Sequence, residues 1–281
     1  MSVPLEPQPT VVALIVPRAR RVELDLHALW EYRQLVFFLA WRDVKVRYKQ
    51  TVLGASWAIL QPLLATVVFT IFLQHVGHVS SEGLPYPLFS FVGLLGWTYF
   101  ANGLTNASNS LVLSASMITK VYFPRLALPI AAVAGGLVDF LCAVVVLVPL
   151  MAYYRVVPSV RLALLPAFLV LATFVALGAG FALSAASVRF RDVRYVVPFA
   201  VQLWMWSTPV VYSAHLLHQP WRTLYGLNPM VSVVEGFRWA VLSSGSLDAG
   251  MLAVSGATAL LLLAAATLYF RRIEDTFADV I

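Results

Sequence analysis

Asp139 is the only Asp, Glu, Lys or Arg in the apolar stretch 126–154. A charge at membrane depth marks function, unless it merely completes a buried polar cluster. Glu235 and Arg238 are three residues apart, so on a helix they pair and lower the cost of burying each other. Thr98, Asn102, Thr105 and Asn109 recur by four, three and four, which puts them on one helical face. Such a face serves either as contact between helices or as the wall of a wet passage. Trp204, Thr208 and Tyr212 also share a face at helical spacing. Rings beside hydroxyls suit a sugar chain, whose C–H faces stack on aromatics while its hydroxyls hydrogen-bond at the edge. An aromatic belt at the membrane surface is the plainer alternative, and it suits Trp97 better.

Several chemistries are missing. No glycine is followed by lysine, so the chain has no phosphate loop for a nucleotide. HExxH and GxSxG are absent as well. His75/His78 and His215/His218 have i,i+3 spacing, but no carboxylate cluster joins them, so they read as interfacial histidines and no metal is expected. Cys142 is the sole cysteine, which excludes an internal disulfide or a cysteine metal site.

The elements that must position these residues follow from the spacing of charge. Residues 50–81, 83–119, 162–188, 195–221 and 249–270 contain no Asp, Glu, Lys or Arg. About 20 apolar residues of helix cross a bilayer, so each block holds one span. The chain is 60% hydrophobic and only 11% charged, against about 25% charged in soluble domains. The fold class expected is an all-α polytopic membrane protein with six spans near 53–75, 88–112, 127–151, 162–186, 195–213 and 249–270. Of the 19 Lys and Arg, all but Arg155, Arg161, Arg222 and Arg238 fall on one side of these spans. The positive-inside rule then puts both termini in the cytoplasm. The net charge of +6 is thus read as setting orientation, with no nucleic-acid partner expected. Val11–Val16 is too short for the apolar part of a signal peptide, so the first span is expected to direct insertion.

Residues 1–25 read as a cytoplasmic tail, 26–50 as an amphipathic interface helix and 51–281 as the membrane domain. Leu26, Trp30, Arg33, Phe37, Trp41, Val44 and Tyr48 share one helical face of the second segment, and Arg42, Lys45 and Lys49 line up elsewhere on it. That helix is an anchor or a docking surface. Residues 214–248 are too apolar for an ordinary loop and too interrupted to cross; two re-entrant half-helices joined at Asn228-Pro229 fit them. Ala172, Ala176, Gly180 and Ser184 form a strip of small residues for a tight helix contact, within the chain or between copies.

A set of ordered motifs gives the chain a family likeness. Trp41-Arg42-Asp43-Val44-Lys45-Val46-Arg47-Tyr48 runs into Leu53-Gly54-x-x-Trp57 and Gln61-Pro62. Lys120-Val121-Tyr122-Phe123-Pro124-Arg125 and Leu128-Pro129 come next, then Arg189-Phe190-Arg191-Asp192-Val193 and Asn228-Pro229-Met230. The chain resembles the permease subunits of ABC-2 type ATP-binding-cassette exporters, above all those for O-antigen, capsular polysaccharide and teichoic acid.

The resemblance implies a homodimer in the inner (cytoplasmic) membrane, working with two copies of a separate ABC ATPase. That partner would bind ATP and Mg, and this chain no cofactor. The implied cargo is a polysaccharide on an undecaprenyl-diphosphate anchor. The resemblance makes Trp41, Arg42, Lys45, Arg47 and Tyr48, with Ser116, Lys120, Phe123, Pro124 and Arg125, the surface that meets the ATPase. It makes the first and fifth spans the channel walls, with Phe69, Phe72, Trp204, Thr208 and Tyr212 lining them. Asn228, Pro229, Glu235 and Arg238 fall in an outer gate, and Arg42, Arg47, Lys120 and Arg125 are cations available to the lipid pyrophosphate. Export of a small drug or lipid fits the same architecture. An intramembrane glycan-processing enzyme would need more outer charges than Arg155, Arg161, Arg222, Glu235 and Arg238 supply, and an ion-coupled transporter would rest on Asp139 alone.

Overall fold

The computed structural model describes residues 26–49, 56–79, 81, 83–214, 221–243 and 247–277, with side chains from residue 29 onward. The expectations for residues 1–25, for Leu53 and Gly54 and for His215 and His218 lie outside the described residues.

Every regular element among the described residues is helical. The short α1 (Leu26–Glu31) leads into α2 (Arg33–Lys49). α3 (Ser56–Phe69) carries Pro62 inside it and continues as a wider π-helix over Thr70–Val76. The Thr66 hydroxyl donates to the Pro62 carbonyl and the Thr70 hydroxyl to that of Thr66. Such back-bonding bends helices, and it leads into the π turn, where the Gly77 amide reaches back to the Phe72 carbonyl. α4 (Tyr86–Leu113), α5 (Ala115–Ile118) and α6 (Ala127–Tyr153) follow. A short 3-10 segment, Val160–Leu164, opens α7 (Leu165–Arg189). α8 (Val193–Trp206), α9 (Trp221–Tyr225), α10 (Pro229–Leu242) and α11 (Ala249–Ile273) complete the fold.

Four stretches are long and apolar enough to cross a membrane: Ser56–Val76, Ala127–Tyr153, Val160–Arg189 and Ala249–Thr276. α4 has the length, with 28 residues or about 42 Å, but its polar face lowers its apolar character. Its burial compensates, because α4 is the central helix and packs against α3, α6, α7, α8 and α10. The expected helix over 195–213 is corrected: α8 stops at Trp206 after 14 residues, about 21 Å. Residues 207–213 are turns. Pro209 explains the stop, since it disfavours helical backbone at the residue before it. The junction expected at Asn228-Pro229 is where α10 begins, with Asn228 Oδ1 accepting from the Met230 amide and Pro229 in the first turn.

Glycines set the helix spacings. The strip Ala172, Ala176, Gly180 and Ser184 is buried within the chain. A Cβ at Gly180 would stand 2.8 Å from the Ala107 Cβ on α4, and one at Gly103 would stand 3.7 Å from the Ala176 Cβ. The seam therefore belongs to α4 and α7 of one copy. Gly178 faces Leu262 and Leu263 of α11, Gly236 lies under the Phe168 ring, and Gly135 lets α6 approach Ala40 and Val44 of α2.

Two predictions follow from the seam. Gly180→Val overpacks it and should cost about 1–3 kcal/mol, read as a lower melting temperature in detergent. Gly256→Ala, with open space around the added carbon, should not lower it. Equal melting of the two variants would show that the seam does not hold the fold.

Candidate functional site

The buried charge on α6 has partners from far away in the chain. The Arg47 guanidinium and the Tyr48 hydroxyl both donate to the Asp139 carboxylate. Arg47 and Tyr48 are neighbours in the last turn of α2, so Asp139 ties down the carboxyl end of that helix. Asp139 lies twelve residues into α6, about 18 Å from its start. α2 lies against α6, and its carboxyl end reaches Asp139. Leu39 and Val44 are buried and Leu35, Val36 and Ala40 pack inward, while Trp30, Phe37, Phe38 and Trp41 are exposed. Arg42 pairs with its neighbour Asp43 at 2.8 Å, and Lys45 stands over the Trp41 ring.

Beside the Asp139 cluster, α2, α3, α4 and α6 enclose a cavity of about 500 Å³. Thr98 and Asn102 from the expected polar stripe line it, together with Asn106, Gln61, Trp57 and Tyr99. The other two stripe residues bond along their own helix, Thr105 to the Ala101 carbonyl and Asn109 to that of Thr105. The stripe is not glue between helices. Part of it is cavity wall and part is internally satisfied.

The aromatic set on α8 is arranged differently from a helical stripe. Trp204 Nε1 donates to Asn228 Oδ1 at 2.8 Å. Asn228 Nδ2 donates in turn to Thr208 Oγ1 and to the Ser207 carbonyl. Tyr212 lies beyond the end of α8 and shares a hydrogen bond with the Tyr225 hydroxyl at 2.9 Å. Thr208 is wholly buried. The polar groups of Trp204, Thr208 and Tyr212 therefore bind α8 and its following turn to α9 and α10. The exposed surface of α8 is formed by Tyr195, Val196, Phe199, Leu203 and Trp206. The Trp206 ring meets Phe69 edge-on at 6.3 Å, and Phe72 on α3 is 62% exposed.

Glu235 and Arg238 pair as their spacing predicts, at 3.1 Å. Arg238 does more than pair. Its side chain is 2% exposed. Its nitrogens donate to the carbonyls of Pro209 at 2.7 Å, Tyr212 at 3.0 Å and Val210 at 2.5 Å. Its guanidinium lies 3.6 Å from the centre of the Phe89 ring. Glu235 also accepts from the Ala214 amide. Arg238 thus answers three carbonyls of the irregular backbone 207–214, while Tyr86 takes that of Val211 and Asn228 and Tyr225 that of Ser207, and Gly93 admits the Val210 carbonyl. Neither Asp139's partners nor Arg238's carbonyl ligands carry a local sequence signal.

Residues 113–125 divide by role. Phe123 is buried with Leu39, Leu111 and Ile118, and the Arg125 backbone amide and guanidinium both bond to Glu274. Pro124 is partly buried. These residues hold the loop. Ser116, Lys120, Val121 and Tyr122 are presented outward, Tyr122 being 89% exposed.

The membrane-domain family described as ABC-2 type transporter matches residues 34–242. The chain belongs to that family. It is 30% identical over 256 residues to the O-antigen export system permease protein RfbA of Myxococcus xanthus, covering 90% of this chain and 97% of that protein. A protein of the same name from Klebsiella pneumoniae is 27% identical over 85% of this chain and 92% of its own. The polysialic acid transport protein KpsM of Escherichia coli is 22% identical over 72% of this chain and 78% of its own.

Arg238→Ala should cost about 3 kcal/mol or more, the scale for breaking a buried ion pair, because it strands Glu235 and three carbonyls. Arg238→Lys should not restore stability, since an ammonium lacks the planar fork. Thermal unfolding in detergent checks both. A wild-type melting temperature for Arg238→Ala would show that the turn 207–214 holds itself.

Proposed function

We propose that this chain is the membrane permease of an ATP-driven exporter that moves a lipid-linked polysaccharide, of the O-antigen kind on an undecaprenyl-diphosphate anchor, out of the cytoplasm. The observation that carries the reading is the match, over nearly the whole chain, to permeases named for O-antigen export. In this reading the chain crosses the inner membrane six times with both termini in the cytoplasm. α4 and α8 with its turn supply the two crossings beyond the four apolar stretches, and α9 and α10 dip into the outer face.

Two copies assemble through the bare apolar faces of α3 and α8, whose Leu64, Val67, Ile71, Phe199 and Leu203 are each about half exposed or more in one copy. Apolar surface of that extent beside the Phe69–Trp206 contact suits a partner helix and a channel between copies. The chain has no nucleotide loop of its own, so a separate ABC ATPase, present as two copies, supplies ATP and Mg. Its docking surface comprises Lys120, Tyr122 and Ser116 and the exposed side of α2 around Trp41, Arg42 and Lys45. ATP closes the ATPase pair, and α2 carries that motion to the spans. Nucleotide shifts the equilibrium only by its different affinity for the two states.

Two experiments test the reading. Depleting this chain should trap long glycan on the cytoplasmic face with synthesis intact; normal surface glycan would remove the polysaccharide cargo and leave export of a small lipid or drug. Reversing the charges of Arg42 and Lys45 together should leave the protein in the membrane with ATP hydrolysis uncoupled from export. Full export by that double variant would end the assignment of α2 as the coupling lever.

A further inference from the structure

The cavity beside Asp139 does not stand alone. A second cavity of about 400 Å³ lies between α2, α4 and α6. Arg42, Asp43, Ser110 and Ser114 line it. Arg47 and Asn106 belong to the walls of both cavities. The two cavities adjoin at Arg47 and Asn106, and together they make a route from the end of α4 near the exposed 113–125 loop to the middle of α6, its walls apolar apart from these polar groups.

Three features describe what the route accepts. Thr98, Asn102 and Asn106 make no side-chain hydrogen bond among the described residues. Amides and hydroxyls on a membrane-embedded helix need water or a ligand in place of missing partners. The charges cancel: Arg42 is held by Asp43, and Arg47 by Asp139. A route with paired charges favours a neutral polyhydroxylated molecule over a bare anion, because an anion would meet Asp43 and Asp139 as well as the arginines. Trp57 and Tyr99 add ring surface to the inner cavity. Its volume lies within the range of about 300–1,000 Å³ that holds small ligands.

The geometry points to a binding site for sugar units of the transported glycan in the paired cavities between α2, α4 and α6, entered from the cytoplasmic side. This rests on the polysaccharide reading above. Sugar hydroxyls bond to Asn102, Asn106 and the outer faces of the Arg47–Asp139 pair, and a pyranose face stacks on Trp57, whose ring is exposed. An occupant there touches the carboxyl end of α2, so the lever and the cargo meet at one place.

The test uses the whole exporter in inverted membrane vesicles, with Cys142→Ser as background. Asn102→Cys and Asn106→Cys are compared with Leu141→Cys, which lies on the exposed side of α6. A charged, membrane-impermeant thiol reagent is applied from the cytoplasmic face. Both cavity cysteines should react about tenfold faster than the lipid-facing one, since only wet thiols form thiolate readily. Lipid-linked glycan trapped by withholding ATP should slow that reaction about threefold or more by occupying the site. The attached reagent should stop export.

Reaction no faster than at Leu141→Cys would overturn the route. Fast reaction without protection by trapped glycan, or export that survives modification, would overturn the sugar site. The two cysteine positions are one helical turn apart, so either alone decides it. Normal surface glycan on depletion fails the cargo reading and this ligand together. Unprotected labelling in cells where depletion traps glycan fails this inference alone.

Discussion

A bilayer core offers no hydrogen bonds, so each polar group carried into it has to be answered by the protein or by enclosed water. Around that constraint the fold is organised. Arg238 answers it for the turn after α8: a single guanidinium takes the carbonyls of Pro209, Val210 and Tyr212, and Glu235 balances its charge. Without that cation the backbone of 207–214 has no helical ladder to fall back on. The Trp204–Asn228–Thr208 chain answers it for α8 and α10. Thr105, Ser108, Asn109 and Ser110 answer it on α4 by bonding back along their own helix. Thr98, Asn102 and Asn106 have no such answer among the described residues, and beside them the helices part to leave a cavity of about 500 Å³.

The second constraint is distance. Without a hydrophobic drive between helices in lipid, close packing has to supply the association. Glycine and alanine provide it along α4, α6 and α7. Gly180 lets α7 approach Ala107 of α4, and Gly178 lets it approach the Leu263 backbone of α11. α4 is thereby enclosed and can carry a polar face that would be costly on an outer helix. α3 and α8 are treated in the opposite way. They have few glycines and wide apolar exposure. One side of the bundle is closed by small residues, and the other is left open to a partner or to lipid.

The sequence was legible where the signal is local. The spacing of charge delimits the apolar helices, Asn228-Pro229 announces the start of α10, and the i,i+3 spacing of Glu235 and Arg238 gives their ion pair. It was illegible where the partner is remote. Asp139 stands out as a buried charge, but Arg47 and Tyr48 are more than ninety residues away in the chain, and no periodicity links them. Apolar side chains surround α2: Leu39 and Val44 turn inward while Phe37, Phe38 and Trp41 turn out. Helical spacing identifies a face without saying whether protein or lipid meets it. The Trp204–Tyr212 stripe was misjudged for a reason the sequence did contain. Pro209 stops the helix between them.

The placement of Asp139 gives α2 a defined mechanical character. A helix joined to the bundle only by apolar contacts slides, because dispersion and exclusion of water have little directionality. The ion pair and the tyrosine hydroxyl fix one end of α2 at a point on α6, whereas its amino-terminal half presents Phe37 and Phe38 outward. If α2 is the lever proposed above, force on its outward rings works against the packing of Leu35, Val36 and Ala40 and turns the helix about the fixed end. The residues first moved by such a rotation are those beside the fixed end, and these are the cavity walls: Arg47 and Tyr48 on α2, Asn102 and Asn106 on α4. A change in the angle of α2 therefore changes the shape of the polar cavity directly, with no longer chain of contacts needed between them.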